Sequence, residues 1–246
     1  MINNTFYLDK SIEFIKRIGG VEELVYNSDS GWRGYNDNED YTVESGASKV
    51  ALVFTNSDYV VKIPFTGEYD DYDDYDCEDS CSRDYPCSQC SRCSRRSAEE
   101  SYDEFTGARV GEDEHGYEYG WDYCAAEQFF YEKAVVAGVE EFFIKTIFIG
   151  EFNEHPIYLQ EKVEVYGCSS QTKSSEQSKE IFIKKFHHSE IQNEDFGGLL
   201  IEYYGEDRVN QLVEFLSEEG ISDLHSSNVG IRANRPVLFD YSGYRS

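Results

Sequence analysis

Two carboxylates and a carboxamide with the spacing for phosphate chemistry stand near the end of the chain. They are Asp223, Asn228 and Asp240, in the stretch ISDLHSSNVGIRANRPVLFDYSG from Ile221 to Gly243. Val229–Arg232 and Pro236–Phe239 read as two short strands, with Ala233–Arg235 as the polar turn between them. A hairpin folds back on itself, so Asn228 before it and Asp240 at its end can arrive at one edge. Hard oxygen ligands on one edge suit Mg²⁺ carrying substrate phosphates, because that ion keeps several waters and accepts few protein ligands. Asp223 then lies close enough to orient a hydroxyl nucleophile.

Upstream elements must bring phosphates to that edge. Leu8 to Ile18 has apolar residues at helical spacing and stops at Gly19-Gly20, an N-terminal prop with no chemistry in it. Tyr41–Val43, Val50–Phe54 and Tyr59–Ile63 read as strands, the last two joined by Thr55-Asn56-Ser57-Asp58. Between the first two lies the small-residue turn Glu44 to Lys49, where backbone N–H groups around Gly46 can approach a phosphate. The third strand carries Lys62, an ammonium in the apolar run Val60-Val61-Lys62-Ile63; its alternatives are a phosphate contact and an outward-facing edge. Trp121 to Gly138 is helical in character, and Glu127 lies on its apolar side beside Cys124, Phe130, Tyr131 and Ala134. A carboxylate there needs a cationic partner, and Lys62 is the natural one. Glu132, beside Phe129, Val135 and Val136, is the alternative. Phe142–Ile149 and Pro156–Lys162 read as two more strands, joined by Glu151–His155; Gly167 to Lys179 is a Ser/Gln-rich loop, and Ile181 to Tyr204 is ambiguous. Asp207 to Glu219 has a helical apolar spacing and ends at Gly220.

Small-residue turn, strand lysine, helix glutamate, hinge, helix, D-x-x-x-x-N, hairpin and Asp occur in an order that resembles the protein-kinase-like fold. The resemblance implies an α+β chain with a five-stranded N-lobe and one main helix (41–162), a reduced C-lobe (163–246), a helical extension (1–40) and a Cys-rich insertion between the third strand and the helix (66–120). By the same resemblance Asp223 is the catalytic base, and Asn228 and Asp240 hold Mg²⁺. Lys62 holds the phosphates of ATP with Glu127 fixing it, and Gln160-Glu161-Lys162-Val163 is a hinge that meets an adenine, so that Glu161 is a cofactor-binding position. The turn departs from G-x-G-x-x-G in having Gly46 as its lone glycine, for which the Ser48 hydroxyl could compensate. Ile221-Ser222 stands where the family has His-Arg, Ser242 where D-F-G has Gly, and only Tyr244, Arg245 and Ser246 follow, so no activation segment is expected.

The insertion has its own chemistry. Glu68 to Asp79 holds eight acidic residues in twelve, followed by Cys77, Cys81, Cys87, Cys90 and Cys93 with arginines among them. C-x₃-C then C-x₂-C can place four thiolates around a structural Zn²⁺, with Cys77, Cys81, Cys87 and Cys90 as first choice and Cys93 as the spare. The other reading is an acidic insert with free thiols. Seven cysteines fit a metal site in a reducing compartment better than a disulfide framework. A net charge of −27 argues against direct nucleic-acid binding and would favour a basic protein as partner. No apolar run has membrane-helix length, so a cytoplasmic protein is expected. Three functions compete: an ATP- and Mg²⁺-dependent phosphotransferase with an unidentified acceptor, a pseudokinase-type module that binds nucleotide or partner without catalysis, and a small-molecule kinase of the aminoglycoside-phosphotransferase type.

Overall fold

Alternation along the strands gives the sheet two unlike faces. Val50, Leu52 and Phe54 point one way and Lys49 and Ala51 the other, because successive side chains of a strand leave opposite faces. The computed structural model describes residues 3–24, 39–46, 48–65, 122–169, 173–222 and 224–241. Within them the chain is α+β, with a five-stranded antiparallel sheet in the order β1-β2-β3-β5-β4. The strands are β1 (Tyr41–Ser45), β2 (Lys49–Phe54), β3 (Tyr59–Pro64), β4 (Thr146–Phe152) and β5 (His155–Glu161).

Helix α1 (Asn4–Ile18) covers the apolar face. Asn3 caps it by accepting from the Phe6 N–H, so it begins a turn earlier than its apolar spacing suggests. Phe14, Ile15 and Ile18 form a core with Leu52, Phe54, Val61, Ile63, Ile157 and Leu159. Gly150 sits at a bulge in β4 with φ 150°, and a Cβ there would meet Leu8 of α1 at 2.7 Å. Helix and strand therefore touch where only glycine fits.

Helix α2 (Tyr123–Ala137) takes the other face, starting at the Asp122 cap and ending at Gly138 with φ 71°. The segment Phe142–Ile149 is not all strand: Glu140–Phe142 forms a 3₁₀ turn and β4 starts only at Thr146. The Asn153-Glu154 and Ala233-Asn234 turns have two residues each, every one at positive φ, so the flanking strands run closer to the tips than turn-forming composition suggests.

A second core gathers α2 with helices α4 (Glu176–Phe186), α5 (Glu194–Tyr204) and α6 (Glu206–Glu219). It is continued by the three-stranded sheet β6 (Glu164–Val165), β7 (Val229–Arg232) and β8 (Arg235–Leu238). The short helix α3 (Tyr166–Ser169) lies in the stretch expected to be loop. The β7–β8 hairpin is tied to the start of β4: Ile144 N–H donates to the Leu238 carbonyl at 2.9 Å, and the fully buried Tyr241 donates its hydroxyl to the Ile144 carbonyl at 2.8 Å. No described helix is long and apolar enough to cross a membrane.

His155 gives the first core an acid limit. It is 2% exposed, and its Nε2 lies 2.8 Å from the Pro64 carbonyl, which can only accept, so the ring is the Nε2–H tautomer. Burial lowers its pKa to about 4, outweighing the opposing effect of that hydrogen bond. Unfolded, the imidazole takes up a proton below about 6.5. The unfolded chain thus binds more protons between pH 6.5 and 4, and stability falls as pH falls through that window. The loss should reach roughly 3 kcal/mol by pH 4. Urea titrations across the window should show that fall in wild type and a flatter profile in His155→Gln; equal slopes would contradict the assignment.

Candidate functional site

The polar face of the sheet and the end of the hairpin enclose a cluster of charges. Glu127 projects from α2 with no exposure at all, on the helix side that also buries Cys124, Phe130 and Ala134. Lys62, facing it from β3, donates to both carboxylate oxygens, at 2.8 and 2.9 Å. Glu132, the other glutamate of the helix, is exposed. Gln160 of β5 adds a bond to Glu127 Oε2 at 3.2 Å, and the Thr146 hydroxyl of β4 donates to the same oxygen. A buried carboxylate needs its lone pairs filled, and this one has donors on both oxygens.

A second lysine completes the cluster. Lys49, the first residue of β2 and 7% exposed, reaches Glu127 Oε1 at 3.3 Å and Asp240 Oδ1 at 2.6 Å. Ala51 pairs with Lys62 across β2 and β3, so Lys49, two residues before Ala51, emerges on the face of Lys62. Lys49 was not among the residues singled out from sequence, nor were Thr146 and the side chain of Gln160.

The hairpin end is held from both sides. The Phe239 carbonyl accepts from Lys62 at 3.1 Å and from Gln160 at 2.8 Å. The Asn228 carbonyl accepts from Phe239 N–H at 3.2 Å and Asp240 N–H at 3.5 Å, which sets Asn228 and Asp240 side by side. Asp240 keeps 28% of its side chain exposed, so the cluster is sealed toward the sheet and open there.

Charge balance keeps Asp240 and Lys49 ionised. Burial alone would raise the Asp240 carboxyl, but Lys49 and then Lys62 outweigh it and hold the group well below the usual carboxylate range. Burial alone would lower the Lys49 ammonium, but Asp240 and Glu127 push it above the ordinary lysine value. The Cys124 thiol beside them is pushed up by burial and by Glu127, and stays protonated. Asp122, also pushed up by burial, accepts from the Tyr158 hydroxyl and from the Ala125 N–H at 2.8 Å, fixing the start of α2.

The remaining sequence candidates fall as follows. Gly46 spends its N–H on the Lys49 carbonyl at 3.0 Å, closing the β1–β2 hairpin directly before Lys49; Ser48 is half-buried and its carbonyl accepts from Phe65 N–H at 3.0 Å. Glu161 turns its side chain away from the cluster to pair with Arg232 at 3.4 Å. Asp223 and the insertion cysteines Cys77, Cys81, Cys87 and Cys90 lie outside the described residues.

The partly exposed Asp240 carboxylate, with the Asn228 backbone beside it, is the hard-oxygen group that could face a divalent ion such as Mg²⁺. Among the described residues no group of three or more His, Cys, Asp and Glu is gathered for a metal. Comparison of the chain with protein-family models, with curated proteins and with solved structures finds no match.

Removing Glu127 leaves Lys62 without its carboxylate and Lys49 with Asp240 alone. Glu127→Ala should therefore cost about 3–5 kcal/mol, as expected when one partner of a buried ion pair is deleted. Glu132→Ala should stay within about 0.5 kcal/mol of wild type. Urea midpoints of the two variants decide, and equal effects would contradict the cluster.

Proposed function

We propose that the chain is an ATP- and Mg²⁺-dependent phosphotransferase of the protein-kinase-like kind. The observation that carries this reading is the buried Lys62–Glu127 pair between sheet and helix, bonded to the carbonyl that immediately precedes Asp240. A lysine so fixed lies directly behind the edge that Asp240 opens to solvent. In this reading one Lys62 N–H passes from the Phe239 carbonyl to a phosphate oxygen, and Glu127 sets the direction of the ammonium without touching the nucleotide. Asn228 and Asp240 would hold Mg²⁺, which when bound offsets the negative charge of the phosphates. Asp223 accepts the proton of an acceptor hydroxyl. The new oxygen–phosphorus bond forms as the γ-phosphorus leaves the bridging oxygen, and ADP departs. Positioning and charge stabilisation supply most of the catalysis in such reactions.

A second reading, a module that binds nucleotide or a basic protein without catalysis, draws on the Lys49–Asp240 contact, which puts an ammonium on the carboxylate that would hold the metal. Incubation with Mg²⁺ and γ-labelled ATP separates the two. The phosphotransferase should label itself, a basic protein or a small hydroxyl compound, and Asp223→Ala should lower the rate about 10²–10⁴-fold, the usual size of a general-base contribution. A wild-type protein that binds an ATP analogue yet transfers no label would favour the module.

For the insertion we propose one structural zinc on Cys77, Cys81, Cys87 and Cys90, since four clustered thiols in so acidic a segment gain most from a divalent ion. Elemental analysis should find about one zinc per chain, and Cys81→Ser with Cys87→Ser should abolish it. A metal-free wild-type preparation made without chelators would contradict this.

A further inference from the structure

The two lysines of the cluster differ in what holds them. Lys62 is fixed on three sides, by both oxygens of Glu127 and by the Phe239 carbonyl. Lys49 has one short bond, to Asp240 at 2.6 Å, and a longer one to a Glu127 oxygen that already accepts from Lys62 at 2.8 Å. The cluster thus pairs two ammoniums with two carboxylates, and its single partly exposed member is the Asp240 end. A divalent cation arriving alone at Asp240 would meet Lys49 on the same carboxylate and be repelled by it. A metal-bound polyphosphate brings both a cation for Asp240 and oxygens for the displaced ammonium.

We propose that Lys49 is a resident counter-cation of Asp240 that makes divalent-metal binding conditional on a polyphosphate, passing from the carboxylate to a phosphate oxygen when both arrive. The inference rests on the nucleotide reading of the site for the identity of the polyphosphate, while its metal half stands on the cluster alone. Lys49 is by this account a phosphate-binding residue, supplied by the strand next to that of Lys62. It also reconciles the ammonium on Asp240 with a catalytic site: the contact is the resting partner of the carboxylate and gives way on loading.

The test uses Mn²⁺, whose free form is counted directly by its electron paramagnetic resonance signal, on the full chain without nucleotide. Wild type should bind Mn²⁺ weakly, and Lys49→Met should bind it at least tenfold more tightly. The double variant Lys49→Met with Asp240→Asn should return to weak binding. A folded Lys49→Met with unchanged Mn²⁺ affinity would overturn the proposal, as would tight binding that persists in the double variant. Should Lys49→Met fail to fold, thermal denaturation of wild type decides. Mn²⁺ alone should leave the Tm unchanged, and Mn²⁺ with a non-hydrolysable ATP analogue should raise it by more than the separate effects combined. A rise with Mn²⁺ alone as large as that with both would overturn the proposal. If the analogue raises the Tm under no condition while the Mn²⁺ titrations behave as expected, the nucleotide reading fails and the guarding of Asp240 by Lys49 stands.

Discussion

A carboxylate with no contact with water, Glu127 on α2, is the constraint on which this fold turns. Burying such a group is costly unless cations and hydrogen-bond donors surround it. Its donors come from four different strands: Lys49 from β2, Lys62 from β3, Thr146 from β4 and Gln160 from β5. Satisfying one side chain thereby fixes how α2 sits on the sheet. The same donors reach onward, Lys62 and Gln160 to the Phe239 carbonyl and Lys49 to Asp240, so the hairpin end is bound to the sheet through the cluster. Apolar packing of Tyr241 on Phe143, with ring centroids 4.8 Å apart, holds the hairpin from its other side. Electrostatics and packing thus specify one position for Asp240.

Much of the strand framework was legible because alternation and turn composition agree. The four-residue turn Thr55–Asp58 between Val50–Phe54 and Tyr59–Ile63 already implies the observed pairing of Val53 with Val60 and of Ala51 with Lys62. Carrying that register two residues further would have placed Lys49 on the face of Lys62. The signal was present, but Lys49 read as part of the turn. The choice between Glu127 and Glu132 had no such signal. Apolar neighbours flank both, and tertiary packing decides which face meets the sheet.

The stretch from Ile181 to Tyr204 hid two helices for a different reason. Helix α5 buries Phe196, Gly197, Gly198, Leu199, Leu200 and Ile201 in succession, so its middle shows no alternation of apolar and polar positions. Its two glycines are poor helix formers, and contact explains them. A Cβ at Gly197 would lie 2.5 Å from the Phe182 ring, and one at Gly198 would lie 2.4 Å from the Ser174 hydroxyl. Close approach of α4 to α5 requires small residues that local propensity counts against a helix. Gln160 likewise takes its part from tertiary context: its amide donates to the Thr146 hydroxyl and to the Phe239 carbonyl, contacts that no local pattern announces.

The chain carries a net charge of −27, yet it concentrates two buried ammoniums behind one open carboxylate edge. Long-range repulsion would turn a polyphosphate away from so acidic a protein, so on the proposed reading its recognition would rest on short-range contacts with these ammoniums. Lys62 is the residue on which that claim rests. Calorimetric titration of the chain with a non-hydrolysable ATP analogue in the presence of Mg²⁺ measures it most directly. The account predicts saturable binding by wild type that is weakened at least tenfold in Lys62→Ala and is unchanged in Glu132→Ala. Binding of equal strength in wild type and Lys62→Ala, or none in folded wild type, would contradict it.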